Sequence, residues 1–303
     1  MKVAIDQQET TSLSPTVILA LAIVYVVWGS TYLAIDLTLA TMPPFLMTGM
    51  RFLVAGALLT TFLVIRGHRL PTPKQWLNCA LIGTLMQGGC VGGIAIAERS
   101  ISSGLASVGI ATVPIWTALM AGLMNRNWPI RSEIIGIGFG FAGVIMLNVE
   151  GGITGASQGA IIIVVAALCW SLGSVLSQRL DLPKGPMAFG GEMLTGGAIT
   201  ALAGLASGER IVAVPSSSAI LSWLYLVVAG SLGAYTAYMY LLRTVRTSVA
   251  TSYTLVTPIV AVLLGATFLS EDVSLFTVLA VLTVLCGVGF IFKARAVRAS
   301  KAT

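Results

Sequence analysis

A chain of 303 residues in which 56% are hydrophobic and only 9% charged is too apolar for water, because soluble domains carry about 25% charged residues. A mean hydropathy of +0.95 describes a surface that faces lipid and excludes an ordinary soluble fold. The net charge of +6 is scattered over short connections and a tail, not gathered into a basic and aromatic stripe, which argues against a nucleic-acid partner.

The first fifteen residues are polar, include Asp6 and Glu9, and lead to no small-residue cleavage site, so residues 1–15 are expected as a retained cytoplasmic tail. A helix needs about twenty apolar residues to cross a hydrocarbon core roughly 30 Å thick. Ten such runs follow one another: 16–35, 43–65, 76–97, 102–124, 132–149, 158–178, 187–206, 219–241, 248–269 and 274–292. A β-barrel would show alternating strands of about ten residues, and the unbroken run from Ala160 to Cys169 is incompatible with that. The expected class is an all-α membrane protein, closed by a basic cytoplasmic tail at 293–303.

The orientation follows from charge. With the N-terminus in the cytoplasm, the inside segments hold fourteen Lys and Arg, among them Arg66, Arg69, Arg126, Arg131, Arg179, Arg243 and Arg246. The outside segments hold two, Arg99 and Arg210, with acidic Asp36, Glu98, Glu150, Glu209, Glu271 and Asp272. An even number of crossings then returns the C-terminus to the cytoplasm.

The chain repeats itself. An offset of 144 aligns Ser103–Leu147 with Thr247–Ile291 and superposes Pro114 on Pro258 and Gly143 on Gly287. An offset of 142 places Trp28 on Trp170 and Pro44 on Pro186, and 147 places Trp76 on Trp223 and Gly83 on Gly230. These registers define a first half at 16–149 and a second at 158–292, each of five crossings. Five is odd, so the second copy enters from the opposite face, an inverted repeat suited to alternating access around a midplane site.

The run Trp28-Gly29-Ser30-Thr31-Tyr32-Leu33-Ala34-Ile35, with Arg51-Phe52-Leu53-Val54-Ala55 in the next helix, resembles the ten-helix EamA-type transporters of the drug/metabolite transporter superfamily. Thr247-Ser248-Val249-Ala250 leading to Pro258 and then Ser270-Glu271 resembles that family's ninth helix and its ending, whereas the first half has Asn125-Arg126-Asn127 there. The resemblance implies an inner membrane exporter of small organic metabolites, amino acids and aromatic ones in particular, with a cavity between the halves. Drugs and nucleoside-like metabolites are the alternative cargo.

Two ionisable side chains fall well inside the runs, Arg51 and Glu192, each costing about 2.5–3.5 kcal/mol at a helix centre on insertion scales unless it faces water or a partner. Arg51 is a candidate for a substrate carboxylate, and Glu192 for an amine or a coupling proton; the bland reading is a structural pair or snorkelling. Trp28, Gln87, Trp116, Trp170, Tyr235, Tyr238 and Tyr253 stand at mid-membrane depth as candidate cavity walls. Pro114 and Pro258 are expected as mid-helix kinks with a role in gating. Gly83, Gly88, Gly89, Gly92 and Gly93 are expected at close helix contacts. Trp76 and Trp223 read as interface anchors, and His68 as a solvated loop residue.

Other chemistry is not indicated. Cys79, Cys90, Cys169 and Cys286 lie in apolar runs without CxxC spacing and read as small hydrophobes, with no metal or other cofactor expected. Gly138–Gly143 satisfies GxGxxG but lies in an apolar run with no preceding strand, and no GxxxxGK[ST] loop occurs. An intramembrane enzyme is disfavoured by the lack of HExxH, of a membrane histidine and of a buried Asp pair, and a channel by the lack of an acidic ring. The expected partners are a small-molecule substrate, the lipid bilayer and protons as candidate coupling ion, with the chain working as a monomer.

Overall fold

The computed structural model describes residues 14–125, 157–245, 247–250 and 252–301, together with residues 131, 134–136, 138, 139, 142, 143 and 146. Among the described residues there is helix and no strand. The expected crossing at 132–149 lies mostly outside them, as do Gly140 and Phe141 of the GxGxxG run.

The helices are α1 (Pro15–Leu39), α2 (Pro44–Ile65), α3 (Pro73–Gly83), α4 (Gly93–Ala97), α5 (Ser103–Ile110), α6 (Val113–Asn125) and α7 (Ser157–Ser177). They continue with α8 (Pro186–Ala206), α9 (Ser217–Tyr225), α10 (Ala234–Thr244), α11 (Thr247–Ala250), α12 (Tyr253–Phe268) and α13 (Leu275–Lys301). A π-helical stretch at Thr84–Gly92 joins α3 to α4, and another at Leu226–Gly233 joins α9 to α10. Six segments are long and apolar enough to cross a membrane among the described residues, including Pro15–Leu39, Pro73–Ala97 and Ser217–Leu241; Tyr253–Phe268 and Leu275–Phe290 are shorter apolar helices.

Helix starts follow local chemistry. Pro occupies the first turn of α1, α2, α3 and α8, where its missing N–H has no partner to lose. Ser14, Ser102 and Ser216 cap α1, α5 and α9 through their hydroxyls, and Thr72 with Gln75 forms a capping box on α3.

Large apolar side chains point outwards, such as Leu19, Leu58, Leu77, Ile161, Leu202 and Leu263, each more than 45% exposed. Polar Thr48, Arg51, Gln87, Ser171, Glu192 and Ser231 are buried instead. That inversion of the water-soluble pattern suits a lipid surround and concentrates chemistry at the centre.

Without a hydrophobic driving force between helices, lipid-embedded packing relies on small residues that let backbones touch. A Cβ on Gly196 of α8 would fall on the Gly83 backbone of α3, and one on Gly197 on Leu53 N of α2. The expected glycines of the third crossing all stand at such approaches: a Cβ at Gly88 would lie 2.7 Å from Thr200 Oγ1, at Gly89 2.8 Å from Cys169 Sγ, at Gly92 3.0 Å from Phe45 and at Gly93 3.1 Å from Ala166.

Two carboxylates fasten helix starts across the sequence. Glu209, beyond α8, accepts from Phe45 N and Leu46 N at 3.1 and 2.8 Å at the head of α2. Glu271, beyond α12, accepts from Ser103 N and Gly104 N at 2.7 and 3.3 Å at the head of α5. Each carboxylate satisfies two orphan donors and meets the positive end of the helix dipole. Ser270 turns the chain towards α5 with a left-handed φ of 55°.

Candidate functional site

The helices line a partly open cavity of about 100 Å³ whose wall includes Trp28, Arg51, Trp170, Tyr235 and Tyr253. Its remaining lining is mostly apolar, with Thr31, Thr254 and Thr257 as hydroxyls. Chain interruptions help to shape it. The expected fourth crossing breaks at Ala111–Thr112, between α5 and α6, and Ala111 and Val113 line the cavity. Pro114 therefore stands in the first turn of α6 rather than in mid-helix, because a proline there surrenders no hydrogen bond. Pro258 lies inside α12, one residue beyond the lining Thr257.

Trp28 is the hub of the aromatic wall. Its ring meets Tyr253 edge-on at 4.6 Å and Tyr235 edge-on at 5.3 Å, and Tyr238 tilts against it at 5.3 Å. The indole Nε1 donates to Gly230 O at 3.2 Å, in the second π stretch, where wider turns leave carbonyls available to side chains. T-shaped pairs bring ring edges to ring faces and leave other faces open to a ligand.

Arg51 is 4% exposed and anchored at one point, its Nε donating to Ser231 Oγ at 2.9 Å. Its guanidinium lies 4.8 Å from the ring of its chain neighbour Phe52. A Cβ at Gly230 would come within 3.0 Å of Arg51 Nη2, so the glycine makes room for the head group. Among the described residues no carboxylate pairs with this cation and no further hydrogen bond engages its terminal nitrogens. Of five N–H donors, the Nε proton is used, and the terminal fork that recognises carboxylates keeps no hydrogen-bond partner among the described residues, on a residue that lines the cavity.

The other expected residues are arranged around that wall. Glu192, 4% exposed on α8, stands outside the cavity lining, in electrostatic reach of Tyr235 and Cys79. Tyr235 is likewise in reach of Arg51, and among the described residues Arg51 and Glu192 form no ion pair. Gln87 is 1% exposed in the first π stretch with Oε1 lacking a hydrogen bond, and it is not part of the lining. Trp116 packs with Val113 and Ala167, its Nε1 donating to Thr112 Oγ1 at 3.1 Å. Tyr238 supports the wall from behind through Trp28 and Tyr253.

Trp223 donates from Nε1 to Met47 O at 3.1 Å, tying α9 to α2, and stands near the end of α9 rather than at its start, because Ser216 caps the helix further upstream. His68 is exposed between α2 and α3, Cys79 and Cys90 are buried, and Cys286 is exposed on α13. The anchor Ser231 escaped the sequence reading. Its signal was present, since at the offset of 147 it falls on Thr84, a hydroxyl directly after the aligned glycines. Among the described residues no group of His, Cys, Asp and Glu is arranged to hold a metal ion.

A polar-centred helical bundle with apolar sides suited to lipid and a cavity among its helices fits a multi-pass membrane transporter. The EamA-like transporter family matches this chain twice, over residues 15–149 and 157–293, and the chain belongs to that family. It is 43% identical to "Uncharacterized inner membrane transporter YedA" of Escherichia coli (strain K12), over 84% of this chain and 83% of that one. It is 25% identical to "Uncharacterized transporter YoaV" of Bacillus subtilis (strain 168), over 90% and 95% of the two chains. "WAT1-related protein At3g02690, chloroplastic" of Arabidopsis thaliana is 26% identical over 82% of this chain and 62% of its own. A crystal structure superposes with a TM-score of 0.63 at 20% identity, covering 92% of this chain and 98% of that one, a likeness of fold alone.

Proposed function

We propose that this transporter exports amino acids, those with apolar or aromatic side chains foremost, across the inner membrane by alternating access. The observation that carries the reading is Arg51, a buried cation on the wall of an aromatic cavity with no acidic partner among the described residues. A carboxylate answers the guanidinium with charge-assisted hydrogen bonds. The substrate's ammonium group is served by the faces of Trp28, Tyr235 and Tyr253, since cations bind over aromatic rings. Among the described residues no carboxylate lines the cavity, so a cationic drug would meet Arg51 uncompensated, which argues against drugs as the main cargo.

The cavity of about 100 Å³ must widen to hold a ring-bearing substrate, and separation of helices during alternating access supplies the room. In the orientation read from charge, with both termini cytoplasmic, Glu98, Glu209 and Glu271 lie at the extracytoplasmic end. Two inverted five-crossing halves, 16–149 and 158–292, would offer near-equivalent conformations open to either side, with Pro114 beside the break at Ala111–Thr112 and Pro258 inside α12.

Reconstitution tests the reading by counterflow against amino acids, nucleosides and cationic drugs. Amino acids should accumulate and saturate; accumulation of nucleosides or drugs with no amino acid would refute the assignment. In the same liposomes Glu192 is the candidate for proton coupling, because a carboxylate shielded from water binds or releases a proton as its surroundings change. Glu192→Gln should reduce the dependence of flux on a pH gradient while leaving exchange at equal pH. An unchanged gradient dependence would remove Glu192 from coupling.

A further inference from the structure

Glu98 closes α4, one helical turn beyond Ile94, whose side chain lines the cavity. It is 6% exposed, and neither carboxylate oxygen has a hydrogen-bond partner. From α1, Tyr32 and Asp36 face it electrostatically; from the segment beyond α12, Glu271 does. Glu271 has both oxygens occupied by the backbone at the head of α5, and the neighbouring Ser103 hydroxyl is also buried and unpartnered. The one basic residue beside it in sequence, Arg99, is exposed, and among the described residues no ion pair reaches Glu98.

An ionised carboxylate placed there would lose its hydration, gain no donor and face two further acids. Burying a bare charge costs far more than burying a neutral carboxyl that lacks a hydrogen bond. Burial therefore pushes the Glu98 carboxyl well above the usual carboxylate range, and Asp36 and Glu271 push it the same way. A metal cation is a poor substitute for the proton, because hard cations want six or more oxygens and no such cluster exists among the described residues.

We propose that Glu98 is a proton-binding site built into the extracytoplasmic closure of the cavity, protonated while α1, α4 and α5 pack around it and releasing its proton to outside water when they part. Tyr32 and Ile35 line the cavity and Asp36 follows them, so separating α1 from α4 hydrates Glu98 and opens the substrate path together. The sign follows from linkage. The closed packing raises the affinity for a proton, so acid outside favours the closed form, and closure weakens as the outside pH climbs through the raised range. This adds a site to the carrier reading and stands or falls independently of which solute is carried.

The test uses the full chain in nanodiscs, with the infrared C=O band of a protonated carboxylic acid as first readout. Wild type at neutral pH should show a band, shifted in D₂O, that is missing from Glu98→Gln. Glu98→Asp keeps an acid there and should move the band rather than delete it, which serves even if the amide variant folds poorly. The second readout is Cys90, which lines the cavity, left as sole cysteine and labelled from outside by a membrane-impermeant maleimide. The ratio of labelling rates, Glu98 chain to Glu98→Gln chain, cancels the thiol's own pH dependence. It should rise about tenfold or more as the outside pH passes through the Glu98 titration, since one pKa unit is a tenfold change in equilibrium. A flat ratio, or a band identical in wild type and both variants, would overturn the proposal.

Discussion

Replacing Arg51 by Gln is expected to weaken binding of a carboxylate-bearing substrate by about ten- to a hundredfold without weakening the fold. Hydrogen bonds to charged groups contribute about 1.5–3 kcal/mol, and each 1.4 kcal/mol is a factor of ten. The variant loses the open guanidinium fork, and with it the bond from Nε to Ser231 Oγ. Stability should hold or rise, because an arginine at membrane depth costs about 2.5–3.5 kcal/mol on insertion scales and an amide less. A structural arginine would behave oppositely, with melting temperature falling and affinity unchanged in the surviving protein. Arg51→Lys should stand between, since it keeps the charge and loses the planar fork. Ligand titration and thermal unfolding on one preparation separate these outcomes.

The second large effect is expected at the crossing of α8 over α3. A Cβ on Gly196 would meet the carbonyl carbon and Cα of Gly83, which are backbone atoms and cannot swing aside as a side chain would. Gly196→Leu must therefore prise apart the two helices that carry Glu192 and lead into the first π stretch. Overpacking costs typically 1–3 kcal/mol and more where backbone moves, so about 3 kcal/mol or above is expected here. That corresponds to a fall in melting temperature of roughly 5 °C or more. Gly289→Ala on α13 is the control: nothing lies within 4 Å of its Cβ position, and alanine favours helix by up to about 1 kcal/mol. If Gly196→Leu melts with the control, the close approach does not hold the bundle together.

Hydropathy and spacing made much of this fold readable. Runs of about twenty apolar residues mark where lipid lies, and the glycines from Gly83 to Gly93 mark where a helix must be approached closely, because both are local demands on composition. Rotation about a helix axis is a different quantity. A π stretch adds residues to its turns, and each added residue swings everything beyond it by about 100°. Gln87 lies within such a stretch and stands off the lining, while Cys90 and Val91, a turn further on, are part of it. Trp116 follows the break at Ala111–Thr112 and packs against α7 for the same kind of reason.

Charge was legible at two levels. Arg51 stood out in the sequence by its depth and occupies the cavity wall. Glu98 and Glu209 read only as acidic residues at helix ends, and Glu271 as part of a helix ending that resembles the family's. Their separate fates depend on tertiary neighbours: two find the exposed N–H groups of helix starts, and one finds none.

The most direct measurement compares matched pairs of ligands on the purified full chain, phenylalanine against phenethylamine and leucine against isoamylamine, by calorimetric titration. Each pair shares its side chain and ammonium group and differs in the carboxylate alone. The account predicts binding of an amino acid at least about tenfold tighter than of its amine, a difference that Arg51→Gln erases. Equal affinity of acid and amine in wild type, or a preference that survives Arg51→Gln, would contradict it.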